Sequence, residues 1–316
     1  MTSSRIFSLF FTFFIFGSSL AQPTKESIEL AKKISIADVH MHTYEQNPRS
    51  AAWWTEKMNE NNVKWGGAVG DYREDIQSAL GDRFIGAIGQ SGFFRIFFKD
   101  GARGLTDPDN SVFLDLYARG ENLLKSGKIK GFGEFHTNNT TSGHPRIRRA
   151  IRVDNPAMRK FYSIADKYQG FVQIHAEFDK DFERDILSLS ADYPNATTVL
   201  SHCLSSSNAN VLASLFSKRN NITCEMSATG EVINKLLGLN KNPIAFNSSG
   251  PFDGWKKLIE SYPDQVMLGT DPCCGADGGY SELVAEFRTN LLPYFSPEII
   301  EKLAFKNAVR VFKLKE

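Results

Sequence analysis

With 316 residues, 41% of them hydrophobic, the chain is long enough to bury one large core, and an α/β barrel of roughly 250 residues fits inside it. Lys plus Arg number 37 against 36 Asp plus Glu, so no overall field exists to hold the protein on nucleic acid or an anionic membrane, and a small molecule is the expected partner. Four cysteines are too few and too irregularly placed for a disulfide framework, although an oxidising compartment permits a bond between some of them.

At the N-terminus, Arg5 precedes the apolar run from Ile6 to Phe16, and Ser19-Leu20-Ala21 offers small residues for cleavage. The pattern predicts a cleaved signal peptide over 1–21 and an exported chain over 22–316, either periplasmic or secreted. No stable membrane anchor is expected, because the apolar run falls well short of the roughly 20 residues that a spanning helix needs. No cysteine follows it directly for lipid attachment. Cleavage after Ala21 removes only Arg5 among the charged residues, leaving 36 basic against 36 acidic. The oligomeric state is not legible in the sequence.

Beyond the leader, short apolar or β-branched runs bounded by Gly, Asn or Asp alternate with longer segments of helical spacing. This alternation is the signature of parallel strands joined by crossover helices. Predicted strands cover 34–43, 63–69, 83–89, 128–136, 170–177, 197–203, 222–227 and 266–272. Predicted helices cover 71–80, 112–125, 156–168, 180–193, 208–219 and 254–262, with 280–292 and 297–312 closing the outer layer. Asn155-Pro156 and Ser296-Pro297 each set a capping residue before a proline suited to a first helical turn. The expected fold is a single-domain (β/α)₈ TIM barrel. Two connections, 90–111 and 228–253, exceed what a barrel requires and are predicted to shape a substrate pocket.

The first predicted strand ends Ile36-Ala37-Asp38-Val39-His40-Met41-His42, and a period of two puts Asp38, His40 and His42 on one side. Imidazole suits borderline-soft divalent ions, and two rings spaced this way can share one ion. A lone His-x-His is weak support, since two polar side chains near a strand end are an ordinary alternative. The other strand ends strengthen it. They carry His175 after Gln173-Ile174, His202 after Ser201, Asp271 after Gly269-Thr270, and Glu134 after Gly131-Phe132-Gly133. Four of the six histidines thus fall at the carboxyl ends of strands, the face on which barrel enzymes place their chemistry.

This constellation resembles the amidohydrolase superfamily of metal-dependent barrel hydrolases, over nearly the whole chain from Ile36 to Leu314. The motifs that carry the resemblance are Asp-Val-His-Met-His at 38–42, Gly-Phe-Gly-Glu at 131–134, Gln-Ile-His at 173–175, Ser-His-Cys at 201–203 and Gly-Thr-Asp-Pro at 269–272. The tail Asn307-Ala308-Val309-Arg310-Val311-Phe312-Lys313-Leu314 looks like the closing helix of the amidohydrolase-related branch.

The resemblance implies that His40, His42 and Asp271 ligate one divalent ion, zinc being the expected metal, while His175 and His202 complete that site or hold a second ion. It also implies that Asp271 is the catalytic proton shuttle, accepting the proton of the attacking water and passing it to the leaving group. The chain departs from the commonest two-ion pattern at Glu134, where a carbamylated lysine usually bridges. A glutamate can bridge two cations directly, as in TatD-type nucleases and some phosphotriesterase-like members, so two ions are favoured and Glu134 is counted a ligand. Lys128 and Lys130 lie too early on their strand to bridge.

Other residues have weaker cases. His136 shares the Glu134 side of its strand and is a candidate substrate contact, as are Glu177 and Arg95. The Arg95 stretch Phe93-Phe94-Arg95-Ile96-Phe97-Phe98 fits a packed lid helix equally well. His144 sits in a polar run and reads as surface. Trp53-Trp54 suits a pocket wall or the start of a helix. Cys273 and Cys274 follow Asp271, where a thiolate could ligate metal or attack, but the superfamily's chemistry needs no thiol.

The expected activity is hydrolysis of a small ester, lactone, amide or phosphoester through metal-activated water. The alternatives are a mononuclear decarboxylase of the same branch and a non-catalytic exported metal- or ligand-binding barrel. A TatD-type nuclease is disfavoured by the absence of net positive charge.

Overall fold

The computed structural model describes residues 22–44, 49–141, 145–204, 208–241 and 243–315. The predicted leader over 1–21 and His144 lie outside the described residues. In chain order, α1 (Lys25–Lys33), β1 (Ile36–Thr43), α2 (Ala51–Glu60), β2 (Val63–Gly70), α3 (Glu74–Leu80), β3 (Phe84–Ile85), β4 (Ala87–Gly89), α4 (Gln90–Gly104) and α5 (Ser111–Lys125) make the first half. The second half runs β5 (Gly131–His136), α6 (Pro156–Tyr168), β6 (Phe171–His175), α7 (Lys180–Asp192), β7 (Thr197–Leu200), α8 (Ala209–Phe216), β8 (Ile222–Glu225) and α9 (Val232–Leu236). It ends with the hairpin β9 (Phe246–Asn247) and β10 (Gly250–Pro251), then α10 (Asp253–Ser261), β11 (Val266–Met267), α11 (Tyr280–Glu286), α12 (Pro297–Glu301) and α13 (Asn307–Phe312).

The long strands pair in parallel, β1-β2-β3 in one run and β4-β5-β6-β7-β8-β11 in the other. The two runs meet at Gly86, between β3 and β4, where only glycine fits because a Cβ would lie 2.4 Å from the Lys128 carbonyl oxygen. Val39 N–H donates to Leu268 O at 3.1 Å and Asp271 N–H to His40 O at 2.9 Å, joining β1 to the segment after β11. With β3 and β4 counted as one, the described residues form a ring of eight parallel strands.

One apolar cluster fills the space between ring and helices, with Trp54, Phe93, Phe113, Phe132, Phe135 and Phe161 fully buried. A second gathers Ala37, Val39, Trp65, Ile85, Phe171, Val199 and Met267 from strands all round the ring, which places it inside, and Ala308, Val311 and Phe312 of α13 seal it. The apolar floor leaves the carboxyl ends of the strands as the polar end, as expected of this architecture.

Several expectations need correction. Residues 90–104 of the long connection are helix α4, kinked at Gly101 (φ 66°), which bears out the packed-helix alternative for 93–98 and extends it. Its glycines hid the helical period, but Gly92 is there for packing, since a Cβ would meet Leu116 of α5 at 2.6 Å. Region 228–253 contains α9 and the β9–β10 hairpin. Helices α1 and α2 were not anticipated as elements, although Trp53-Trp54 does begin a helix packed on the core, with Trp54 fully buried. Asp38 does not share the side of His40 and His42: the register with β2 shifts between Asp38 and Met41. Its carboxylate instead accepts from Thr270 N–H at 2.9 Å, Thr270 Oγ1 at 2.6 Å and Tyr280 OH at 3.0 Å, tying β1 to the last strand segment.

Candidate metal centre

His40 and His42 are delivered by the end of β1, where their Nε2 atoms lie 3.1 Å apart. The Nδ1 of His40 faces Glu225 Oε1 at 2.8 Å and that of His42 faces Gln90 Oε1 at 2.9 Å. Each Nδ1 therefore carries its proton towards an acceptor, and the Nε2 lone pairs converge. Two such nitrogens need a positive charge between them, either a proton or a metal ion. The field favours both. Burial pushes His40 down, but Glu225, Asp271 and Glu134 outweigh it and raise the ring to about 10.

Asp271 completes this group. Its φ of 53° is a left-handed conformation that Asp tolerates better than most residues, and the turn sets Oδ1 3.1 Å from His42 Nε2 and 3.6 Å from His40 Nε2. Glu134 Oε2 stands 3.7 and 4.0 Å from the same two nitrogens. An ion about 2.0–2.1 Å from its ligands in tetrahedral geometry separates them by about 3.3 Å, so these spacings suit shared ligands; His40, His42 and Glu134 form one group close enough to hold a cation, and Asp271 joins His40 and His202 in another. Asp271 Oδ1 is buried with no hydrogen-bond partner, as expected of an oxygen shaped for an ion. Burial pushes both carboxyls up, yet the surrounding imidazoles hold Asp271 and Glu134 well below the usual carboxylate range.

A second group adjoins the first. Glu134 Oε1 lies 3.0 Å from His175 Nδ1 and 3.5 Å from His202 Nε2. His202 sits in a left-handed turn just after β7 (φ 53°), its N–H donating to Glu225 Oε1 at 2.8 Å and its Nδ1 2.7 Å from Ser227 Oγ. Hydrogen bonding to Glu134 and the charge of Asp271 more than offset burial and raise His202. The Cys203–Cys224 disulfide pins this turn to β8. His136 Nε2 reaches Glu134 Oε2 at 3.1 Å and its ring stacks on His175 at 4.3 Å between centroids. Burial, with the charge of His175, lowers His136 to about 4 despite Glu134.

The structure thus brings together His42, Glu134, His136, His175, His202 and Asp271 around one cavity of about 360 Å³, with His40 fully buried beside them. Phe94, Ile147, Ile233 and Leu237 give it an apolar wall. Arg95 lines an adjoining cavity of about 610 Å³, which shares Tyr44, Gln90 and Phe94 with the first. Glu177 lines neither; it accepts hydrogen bonds from Thr140 and Thr141 and so clasps the loop after β5. Lys128 faces outward and pairs with Glu74 at 3.1 Å. Sequence reasoning passed over Glu225, Gln90 and Ser227, the supports of the histidines. Only Glu225 left a signal, a carboxylate at the end of a predicted strand otherwise fit for burial.

A ring of parallel strands with imidazoles and carboxylates clustered at its carboxyl ends defines an α/β protein equipped to hold divalent metal. The chain belongs to the amidohydrolase family, whose model matches residues 37–314. Members of that family are enzymes, hydrolases and decarboxylases among them, and use divalent metal. No curated protein matches the chain.

Among solved structures, a probable 2-pyrone-4,6-dicarboxylic acid hydrolase from Acinetobacter baumannii with citric acid bound is similar, with a TM-score of 0.55, 12% identity and coverage of 89% of this chain and 100% of that one. A 2,6-dihydroxybenzoate decarboxylase complexed with 2,6-dihydroxybenzoate gives a TM-score of 0.53 at 11% identity, covering 88% and 98%. A dihydroxybenzoic acid decarboxylase from Polaromonas with bound manganese gives 0.51 at 10% identity, covering 88% and 97%. At these identities the likeness shows the fold.

Proposed function

We propose that the protein is a metal-dependent hydrolase of a small ester, lactone, amide or phosphoester, working with two ions, zinc by preference, bridged by Glu134. The observation that carries this reading is the division of one carboxylate between two groups. Oε2 of Glu134 faces the Nε2 atoms of His40 and His42, while Oε1 faces His175 Nδ1 and His202 Nε2.

When bound, such ions polarise the substrate oxygen and lower the pKa of water towards about 7. Asp271 takes the proton of the attacking water on Oδ2, the oxygen not turned to the ion, and returns it to the leaving oxygen or nitrogen. Its position beside His42 and its ionised state suit both steps. Glu225 and Gln90 hold His40 and His42 in the tautomer that leaves Nε2 unprotonated for ligation. His136 offers a polar contact to substrate from the far side of Glu134, and Phe94, Ile147 and Leu237 hold its apolar part away from water.

A second reading, decarboxylation with one ion, is favoured by one contact: Glu134 Oε2 is closer to His136, at 3.1 Å, than to His40 or His42. Metal content separates the two, since hydrolysis in this account needs two ions per chain. The protein is exported in this reading, supported by the Cys203–Cys224 bond, which persists in oxidising compartments. Cell fractionation checks that. Activity against a panel of esters, lactones, amides and phosphoesters, lost on chelation and restored by zinc, tests the function; hydrolysis indifferent to chelators contradicts it.

A further inference from the structure

The turn after Asp271 is tight: Cys273 N–H donates to the Asp271 carbonyl at 2.7 Å. It folds the Cys273 side chain back towards the metal centre. The Sγ of Cys273 and the ligand atoms of His42 and Asp271 all lie within 4.8 Å of one another, and Cys273 lines the cavity beside them. Cys273 is half-buried and not disulfide-bonded, whereas Cys274, its neighbour, is exposed.

Apart from the neighbouring Cys274 thiol, the remaining donors around this position are imidazole nitrogens and carboxylate oxygens. Such a set takes borderline and hard divalent ions alike, so His40, His42, Glu134 and Asp271 discriminate little between zinc and manganese beyond the general affinity order. A sulfur donor changes that balance. An ion about 2.3 Å from sulfur and about 2.0–2.1 Å from nitrogen and oxygen brings such donors to within about 3.5 Å of each other. Closing the triad therefore takes at most about 1.3 Å of movement, within reach of small side-chain adjustments in a half-buried residue.

We infer that Cys273 is a soft ligand of the ion held by His42 and Asp271, and that it sets a preference for thiophilic ions over manganese or magnesium. The inference rests on the reading of this site as a metal centre. On binding, the thiol proton leaves to solvent and a sulfur lone pair forms the bond to the ion; nothing is oxidised or reduced. Cys274 lines the same cavity but belongs to no group of donors close enough to share an ion among the described residues, so it is substituted in parallel.

Cobalt(II) added to the full chain tests this without recourse to activity. Wild type is expected to show visible bands of bound cobalt together with near-ultraviolet thiolate-to-cobalt charge-transfer absorption. Cys273→Ser keeps the visible bands and loses the ultraviolet one, while Cys274→Ser keeps both. In competition, the preference for zinc over manganese falls at least about 10-fold in Cys273→Ser, a loss no smaller than that from removing an outer support of a ligand. Visible bands without charge transfer in wild type, or charge transfer that survives Cys273→Ser, overturn the inference. Absence of any cobalt band in wild type overturns the metal centre itself and the inference with it. Should Cys273→Ser fail to fold, alkylation of the wild type decides: cobalt must shield Cys273 from iodoacetamide and leave Cys274 reactive, and equal labelling of Cys273 with and without cobalt contradicts the assignment.

Discussion

Glu225 sets its Oε1 2.8 Å from the Nδ1 of His40, and the same oxygen accepts the N–H of His202 at 2.8 Å. One buried carboxylate on β8 thereby orients the imidazole of His40 and fixes the backbone turn that carries His202. Replacing Glu225 by Gln keeps the shape but removes the charge that fixes the His40 tautomer. Zinc affinity is expected to fall about 10- to 100-fold, read by competition with a chromophoric chelator. Unchanged affinity would show that Glu225 does not act through His40.

Asp271→Asn separates proton transfer from metal binding. The amide keeps an oxygen for ligation and loses the base. Turnover is expected to fall about 10²- to 10⁴-fold while metal remains largely bound by His40, His42 and Glu134. Full turnover with normal metal content contradicts the proton-shuttle role.

The Cys203–Cys224 bond closes a loop of 21 residues, for which loop-closure entropy gives a stabilisation of about 3 kcal/mol. The double Ser variant should lose about that much in denaturant unfolding, and the turn that presents His202 should loosen with it. An unchanged unfolding midpoint would show that packing alone holds the turn.

Glu177 offers a pH test remote from the metal. Burial pushes its carboxyl up, but the hydrogen bonds from Thr140 and Thr141 outweigh it and hold the group at about 2 instead of 4.5. A depressed carboxylate stabilises the fold above its unfolded pKa, and the contribution is lost as pH falls through the folded one. Wild-type stability should therefore drop between pH 4.5 and about 2 more steeply than that of Glu177→Gln. Parallel pH profiles would show that the clasp carries no linkage.

The proposed ligands were legible in the sequence because each sits in a short motif at the end of a strand, where periodicity and topology fix the outcome. Their supports were harder to see. Gln90 opens a helix whose start lay in a stretch taken as connection, and Glu225 follows Cys224 in no recognisable motif, so only the folded ring shows that both face imidazole Nδ1 atoms. Asp38 was misplaced because a register slip of one residue reverses the side a strand residue faces, and period alone does not reveal the slip. Helix α4 was foreseen only as a possible lid helix over 93–98, and its start at Gln90 was not, because Gly92 reads as a breaker until Leu116 is seen against it. Glu177 stood at a strand end like the ligands, but the loop after β5 claimed it.

The bridge across Glu134 is the central claim, and counting metal tests it most directly. Elemental analysis of the purified, zinc-saturated protein is predicted to give two ions per chain, falling to one or none in Glu134→Gln. One ion per chain in the wild type, unaltered by Glu134→Gln, would contradict the account.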